Sequence, residues 1–350
     1  MSRGFLTGYT MALFIYGWLS VNMYLPILPQ LEQVFDVQSR TAKLTFTVFM
    51  LGFAVSQLFW GPLSDRYGRK PVLLTGLAIS VVGAVLSGLT PTIELFMATR
   101  FFEAVGLGVG PVLGRAVLAE SLDRSDIAGS MAHIVSVVST VPAWAPIIGG
   151  YVALWLSWHG IFFVLAVYGT GMWLLTRVTL KETTKDHVAR LRLRDALHTD
   201  LTMLREPRYS GYLLFYGVAF GSLLGYYATT PYLFTRELGF ASYQYGYLLI
   251  FNVAVYVSGV QISRVVVHRH GIDRPLLLAL GTYAISATMF FVAEIFADLD
   301  VLGILIPISV FVFGAGLVSP AANAGAMTIF HERAGAATAF VGFAVVMGGA

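Results

Sequence analysis

Long apolar runs alternate with short polar loops along the whole chain. The runs lie near residues 5–28, 43–61, 72–90, 95–118, 131–156, 160–179, 210–235, 244–263, 275–296 and 301–323, and another begins near 336. Each complete run is close to, or longer than, the roughly 20 residues that a helix needs to cross about 30 Å of hydrocarbon. The pattern predicts an all-α integral membrane protein with ten complete spans and a partial eleventh. The first run continues past twenty residues after a single Arg3 and has no small-residue cleavage site, so it reads as a retained span rather than a signal peptide. The chain stops at Gly348-Gly349-Ala350 inside an apolar run, and a segment completing span eleven and adding a twelfth is expected beyond it.

Composition agrees: 57% of residues are hydrophobic and 12% charged, against roughly 25% charged in an ordinary soluble domain. There is no cysteine, and the seven histidines form no ligand-like cluster, so neither a metal site nor a cofactor is expected. The net charge of +3 does not read as a nucleic-acid footprint, because the basic residues sit where membrane topology places them. With the amino terminus inside, the inner loops and span ends hold Arg3, Arg66, Arg69, Lys70, Arg115, Arg124, Arg177, Lys181, Lys185, Arg190, Arg192, Arg194, Arg205, Arg208, Arg264, Arg269, Arg274 and Arg333. The outer ones hold Arg40, Lys43 and Arg236. These eighteen and three, with Arg100 inside a span, make up the 22 Lys and Arg of the chain. The asymmetry predicts a multi-pass protein of the inner (plasma) membrane with a cytoplasmic amino terminus.

Residues 180–209 form the longest polar segment and divide an amino-terminal six-helix bundle, 1–179, from a carboxy-terminal bundle, 210–350, that reads as truncated. Within this linker Leu193, Leu197, Leu201 and Leu204 recur at helical spacing, which predicts an amphipathic helix along the inner surface. An internal echo supports two homologous halves: His268-Arg269-His270-Gly271-Ile272-Asp273-Arg274-Pro275 repeats, with one insertion, the elbow Asp65-Arg66-Tyr67-Gly68-Arg69-Lys70-Pro71.

Four stretches carry a family resemblance. Gly61-Pro62-Leu63-Ser64-Asp65-Arg66-Tyr67-Gly68-Arg69-Lys70-Pro71 matches G-x-L-A/S-D-R-x-G-R-R/K-P, the signature of the major facilitator superfamily. Met23-Tyr24-Leu25-Pro26-Ile27-Leu28-Pro29 resembles the M-Y-L-P-x-x-P of its Bcr/CflA-type drug:proton antiporters. Arg100-Phe101-Phe102-Glu103-Ala104-Val105-Gly106 is similar to R-x-x-Q-A/G-x-G of span four, and Ala145-Pro146-Ile147-Ile148-Gly149-Gly150 to the antiporter G-P-x-x-G-G of span five. The resemblance implies the major facilitator fold: two six-helix bundles, twelve spans in an intact protein, working by alternating access.

Physical reasoning assigns roles to these residues. In the elbow, Gly61 and Gly68 permit tight backbone geometry, and Asp65 and Arg69, four apart, pair if the turn is helical. Glu120 offers a second acid to Arg66 or Arg69. The resemblance makes Gly61, Asp65, Arg66, Gly68, Arg69 and Glu120 a conformational switch. In span five, Pro142 and Pro146 remove backbone hydrogen bonds while Gly149 and Gly150 allow close helix approach, and the resemblance gives this motif the task of sealing the bundle against leak. In span four, Arg100 and Glu103 are intramembrane charges on one helix face. Apolar surroundings favour a protonated carboxyl and a neighbouring guanidinium an ionised one. That balance suits a proton carrier, and a permanent structural ion pair fits the residues equally well.

The chain departs from the antiporter pattern where Asn22 stands for the usual Asp and Glu103 for the usual Gln. Either the titrating acid has moved from span one to span four, or coupling is altered; the residues choose neither. Asn22, Tyr24, Trp144, Tyr226, Tyr227 and Asn252 offer aromatic faces and hydrogen-bonding groups for a substrate cavity. No P-loop and no convergent nucleophile or histidine box appears, so ATP drive and a membrane enzyme are not expected. The reading is a monomeric exporter of drug-like or amphipathic small molecules by proton antiport. The alternative is an exporter or facilitator of one dedicated metabolite, such as a siderophore, without conventional proton coupling.

Overall fold

The computed structural model describes residues 2–183, 202–296, 301–329 and residues 341, 343, 344, 347 and 348. Among the described residues every regular element is helical. Contacts divide the chain into two compact units, Met1–Leu197 with Ala241–Tyr247 and Ala350, and His198–Phe240 with Leu248–Gly349.

In the first unit, α1 (Arg3–Asn22) starts on Ser2, whose hydroxyl accepts from the Phe5 amide at 3.4 Å. It ends where two prolines begin new helices, a 3-10 turn at Leu25–Ile27 and α2 at Leu28–Val34, because a proline in a first turn forfeits no helical hydrogen bond. Helices α3 (Ser39–Tyr67) and α4 (Arg69–Ser87) are joined through Gly68 alone, at φ 94°. Thr92 caps α5 (Ile93–Leu107), which continues past Gly108 into α6 (Val109–Ser121). Two helices complete the unit, α7 (Arg124–Val138) and α8 (Val141–Thr179). Over its 39 residues α8 would be about 58 Å long if straight, nearly twice the hydrocarbon thickness. A non-helical Ser157, at φ 59°, divides it where the fifth and sixth apolar runs were expected to separate.

The second unit contains α9 (Pro207–Tyr232), a π turn at Leu233–Glu237, α10 (Ser242–His270), α11 (Asp273–Phe296) and α12 (Val301–Ile329). Its core sets Tyr209, Leu213 and Tyr216 of α9 against Leu317, Val318 and Ala322 of α12. The turn from α10 to α11 is made at Gly271, φ 84°, the counterpart of Gly68 in the sequence echo.

All ten expected spans fall in helices. Eight helical stretches among the described residues are long and apolar enough to cross a membrane; the break at Ser157 shares one of them between two runs, and Pro207–Tyr232 supplies the seventh run. Large apolar side chains point outward, with Trp155 75% and Val178 80% exposed. A water-soluble protein hides such surface, whereas lipid solvates it.

Two local expectations are corrected. The elbow does not start at Gly61, because α3 runs unbroken through Tyr67; Gly61 is a helical position with a β-carbon's space in ordinary contact with Val112 at 3.7 Å. Pro142 does not kink a helix, because it lies in the first turn of α8, where its missing amide proton is no loss. Pro146 does lie inside α8. The amphipathic helix expected around Leu193 to Leu201 lies outside the described residues.

Candidate functional site

The buried charges of α5 define the first site. Helices α4 and α5 meet through glycines, so that a β-carbon at Gly83 would sit 2.6 Å from the Glu103 backbone nitrogen, and one at Gly106 would sit 2.5 Å from the Gly76 carbonyl. This contact brings the polar face of α5 into the unit's interior, where Arg100 and Glu103 are both fully buried. Arg100 Nη1 donates to Glu103 Oε2 at 2.7 Å. Placing either charge there alone would cost about 2.5–3.5 kcal/mol on insertion scales, and pairing offsets much of that cost.

Helix α1 completes the pair's coordination through a residue that sequence reasoning did not single out. The Ser20 hydroxyl donates to Glu103 Oε1 at 2.5 Å. It also accepts from Arg100 Nη1 at 3.1 Å, while the Ser20 carbonyl accepts from Nη2 at 3.1 Å. The guanidinium lies 4.0 Å from the Phe49 ring centre, 4.3 Å from that of Tyr24 and 5.4 Å from that of Phe162. Aromatic faces thus solvate the cation where hydrogen bonds do not reach, and Nε has no acceptor. A serine in an apolar helix carries no signal of its own; only the crossing of α1 and α5 marks Ser20 out.

The elbow forms a second cluster at the ends of α3, α4 and α6. Arg69 pairs with Asp65 at 2.5 Å and with Glu120 at 2.7 Å, and also donates to the Ser64 hydroxyl. Arg66 stands apart from these ion pairs, lying 5.1 Å over the Tyr67 ring. Residues just after α8 join the network. Glu182 accepts from the backbone amides of Arg69 at 2.8 Å and Lys70 at 3.2 Å, and Thr183 donates to Glu120 at 2.6 Å. Gly68 leaves α4 without a side-chain cap, so the Glu182 carboxylate supplies one, at the helix end that favours negative charge.

The family model described as Major Facilitator Superfamily matches residues 10–350. The chain belongs to the major facilitator superfamily. Among relatives, it is 29% identical to a bicyclomycin resistance protein homolog of Haemophilus influenzae over 92% of this chain and 81% of that protein. It is 26% identical to multidrug resistance protein D of Escherichia coli (93% and 82%). To a chloramphenicol resistance protein of Pseudomonas aeruginosa it is 29% identical (92% and 76%). These relatives bear out the resemblance to Bcr/CflA-type exporters. Among solved structures, a bacterial homolog of the human lysosomal transporter Spinster, inward-facing and unoccupied, superposes with a TM-score of 0.78 at 14% identity, over 99% of this chain and 80% of that one. A D-xylose-proton symporter gives 0.73 at 15% identity, over 99% and 88%. They share the fold.

In this member of the superfamily the span-five glycines are buried, and Gly149 lies so close to α1 that a β-carbon there would run into the Met23 carbonyl. The residues assigned to a cavity scatter. Asn22 is buried but donates to its own helix, to the Trp18 carbonyl at 2.7 Å; two residues from Ser20, it lies about 200° around α1 and outside the charge network. Tyr24 is buried with its ring against Arg100. Trp144 is half-buried and donates to Thr140 at 3.3 Å. In the second unit, Asn252 Nδ2 donates to the Tyr226 hydroxyl at 2.7 Å, and the Tyr226 and Tyr227 rings lie 5.2 Å apart. Asn252 is fully buried, and its Oδ1 has no partner.

Proposed function

We propose that this chain is a secondary transporter that exports drug-like, amphipathic and uncharged small molecules across the inner membrane in exchange for protons, with its amino terminus in the cytoplasm. The observation that carries the reading is the dry Arg100–Glu103 pair. Asn22 has no ionisable group, so Glu103 is the acid of the first unit placed to load and release a proton within a span. A six-helix amino-terminal bundle, 1–179, and the carboxy-terminal bundle to which 210–350 belongs, joined by 180–209, alternate access to the substrate. The Asp65–Arg69–Glu120 cluster latches the inner helix ends in one state and releases them in the other.

Support for an uncharged substrate comes from the arithmetic of charge. The buried pair sums to zero, and the aromatic faces that would attract an organic cation already hold Arg100. The apolar runs of the carboxy-terminal half, 210–235, 244–263, 275–296 and 301–323, contain a single residue among Asp, Glu, Lys, Arg and His, namely Glu294 near the end of its run. In the rest of these runs, amide and hydroxyl groups such as Asn252 and Tyr226 are what remain for recognition.

The test is substrate-triggered proton release from sealed proteoliposomes, with chloramphenicol as an uncharged probe and tetraphenylphosphonium as a permanent cation. Proton release with chloramphenicol is expected in the native protein and none in Glu103→Gln combined with Arg100→Met, which leaves no buried charge unpaired, with chloramphenicol binding retained within about twofold. The cation is expected to bind at least about tenfold more weakly. Transport of chloramphenicol down its gradient without proton movement in either protein would favour the uncoupled facilitator instead.

Arg69→Gln should slow transport at least about tenfold while leaving equilibrium binding of chloramphenicol in detergent unchanged, since none of the residues assigned to the cavity belongs to the elbow. If binding falls in parallel, Arg69 supports the fold and not the conformational change.

A further inference from the structure

We propose that Ser20 is the positioning residue through which α1 reads the protonation state of Glu103. The inference rests on Glu103 being the proton carrier, and goes beyond it by naming what the proton changes.

A serine hydroxyl has one proton and two lone pairs. Here the proton is committed to Glu103 Oε1 and one lone pair to Arg100 Nη1, so both charges fix its orientation. A 2.5 Å bond from a hydroxyl to a carboxylate lies in the short, charge-assisted range, roughly twice as strong as a neutral one. Protonation of Glu103 ends this arrangement from either oxygen. A proton on Oε1 turns that atom into a donor toward Ser20, whose own proton then loses its acceptor. A proton on Oε2 displaces the Arg100 Nη1 hydrogen bond. In both cases the clamp between α1 and α5 is weakened, while the Ser20 carbonyl keeps its bond to Nη2.

The position of Ser20 gives the clamp leverage. Two residues later α1 ends; Met23 presents its carbonyl to Gly149 of α8, and Tyr24 lays its ring on Arg100. Four residues of chain, Ser20 to Met23, thus join the charge pair to the span-five glycine motif. The titratable and charged groups that face Glu103 are Arg100 on its own helix, Tyr16 of α1 and Tyr24 beyond the break. From α4 the backbone at Gly83 lies against Glu103, while Phe49 of α3 and Phe162 of α8 lie on its partner Arg100.

The experiment is the pH profile of chloramphenicol-triggered proton release in full-chain proteoliposomes for the native protein, Ser20→Ala, Ser20→Thr and Glu103→Gln combined with Arg100→Met, with thermal unfolding in detergent as a parallel reading. Ser20→Ala removes the donor that holds the charged carboxylate, so the midpoint of proton release is expected to move to higher pH. Ser20→Thr, which keeps the hydroxyl, is expected to restore it. An unshifted Ser20→Ala profile, or a lower melting temperature without a shift, overturns the proposal while a folded but silent double variant leaves the carrier reading standing. Proton release that persists in the double variant overturns both.

Discussion

Arg100→Met is expected to yield little stably folded protein, and Arg100→Met combined with Glu103→Gln to recover most of what the single substitution loses. The single change leaves a carboxylate in a site with no solvent, between the backbone of α4 and the end of α1. Breaking a buried ion pair from one side costs about 3–5 kcal/mol, whereas replacing both partners by neutral groups of similar volume is often neutral. The double variant retains the shape: the Met fills the slot between Phe49 and Tyr24, and the Gln amide reaches Ser20. Thermal unfolding of the purified proteins separates the outcomes. The double variant should melt near the native temperature while failing to release protons, which would show that the charges serve transport and not folding. A double variant as unstable as the single one would make the pair structural.

Gly149→Val is expected to abolish transport and lower the melting temperature more than any surface change, although it only adds apolar carbon to an apolar helix. Its β-carbon would meet the Met23 carbonyl, which is backbone and cannot rotate away. Relief would require α8 to withdraw from the end of α1, and overpacking of this kind costs about 1–3 kcal/mol or more. Gly171 of the same helix is the control. A β-carbon there meets nothing within 4 Å, so Gly171→Ala is expected to be neutral or to stabilise slightly, since alanine favours helix by up to about 1 kcal/mol over glycine. Melting and transport measured on both variants decide the matter. Equal effects would mean that general helix propensity, and not the α1–α8 contact, governs span five.

The contrast between these glycines shows how the two sources of information divide. Both read alike in the chain, since an apolar run containing glycine announces a membrane helix without saying which face is crowded. Spans, class and superfamily signature were legible because lipid imposes a one-dimensional rule: about 20 apolar residues per crossing, with charge confined to the ends. The Asp65–Arg69 pair was legible for the related reason that four residues are one helical turn. Arg100 and Glu103 stood out because charge inside a span is costly wherever it occurs.

Ser20, Glu182 and the crowding at Gly149 depend on separations of 83, 113 and about 126 residues along the chain, set by how helices cross. No local pattern encodes such pairings, because a hydroxyl, a carboxylate after a span and a glycine are each common in neutral roles. The same limit explains Asn22, whose place in the sequence motif suggested a cavity while its rotation on α1 turned it back to the Trp18 carbonyl. The sequence by itself determined that the chain crosses a membrane many times and which charges lie within it, since those follow from the cost of each residue in hydrocarbon. The tertiary structure alone decided which groups meet those charges, because helix crossing brings together atoms that the chain keeps far apart.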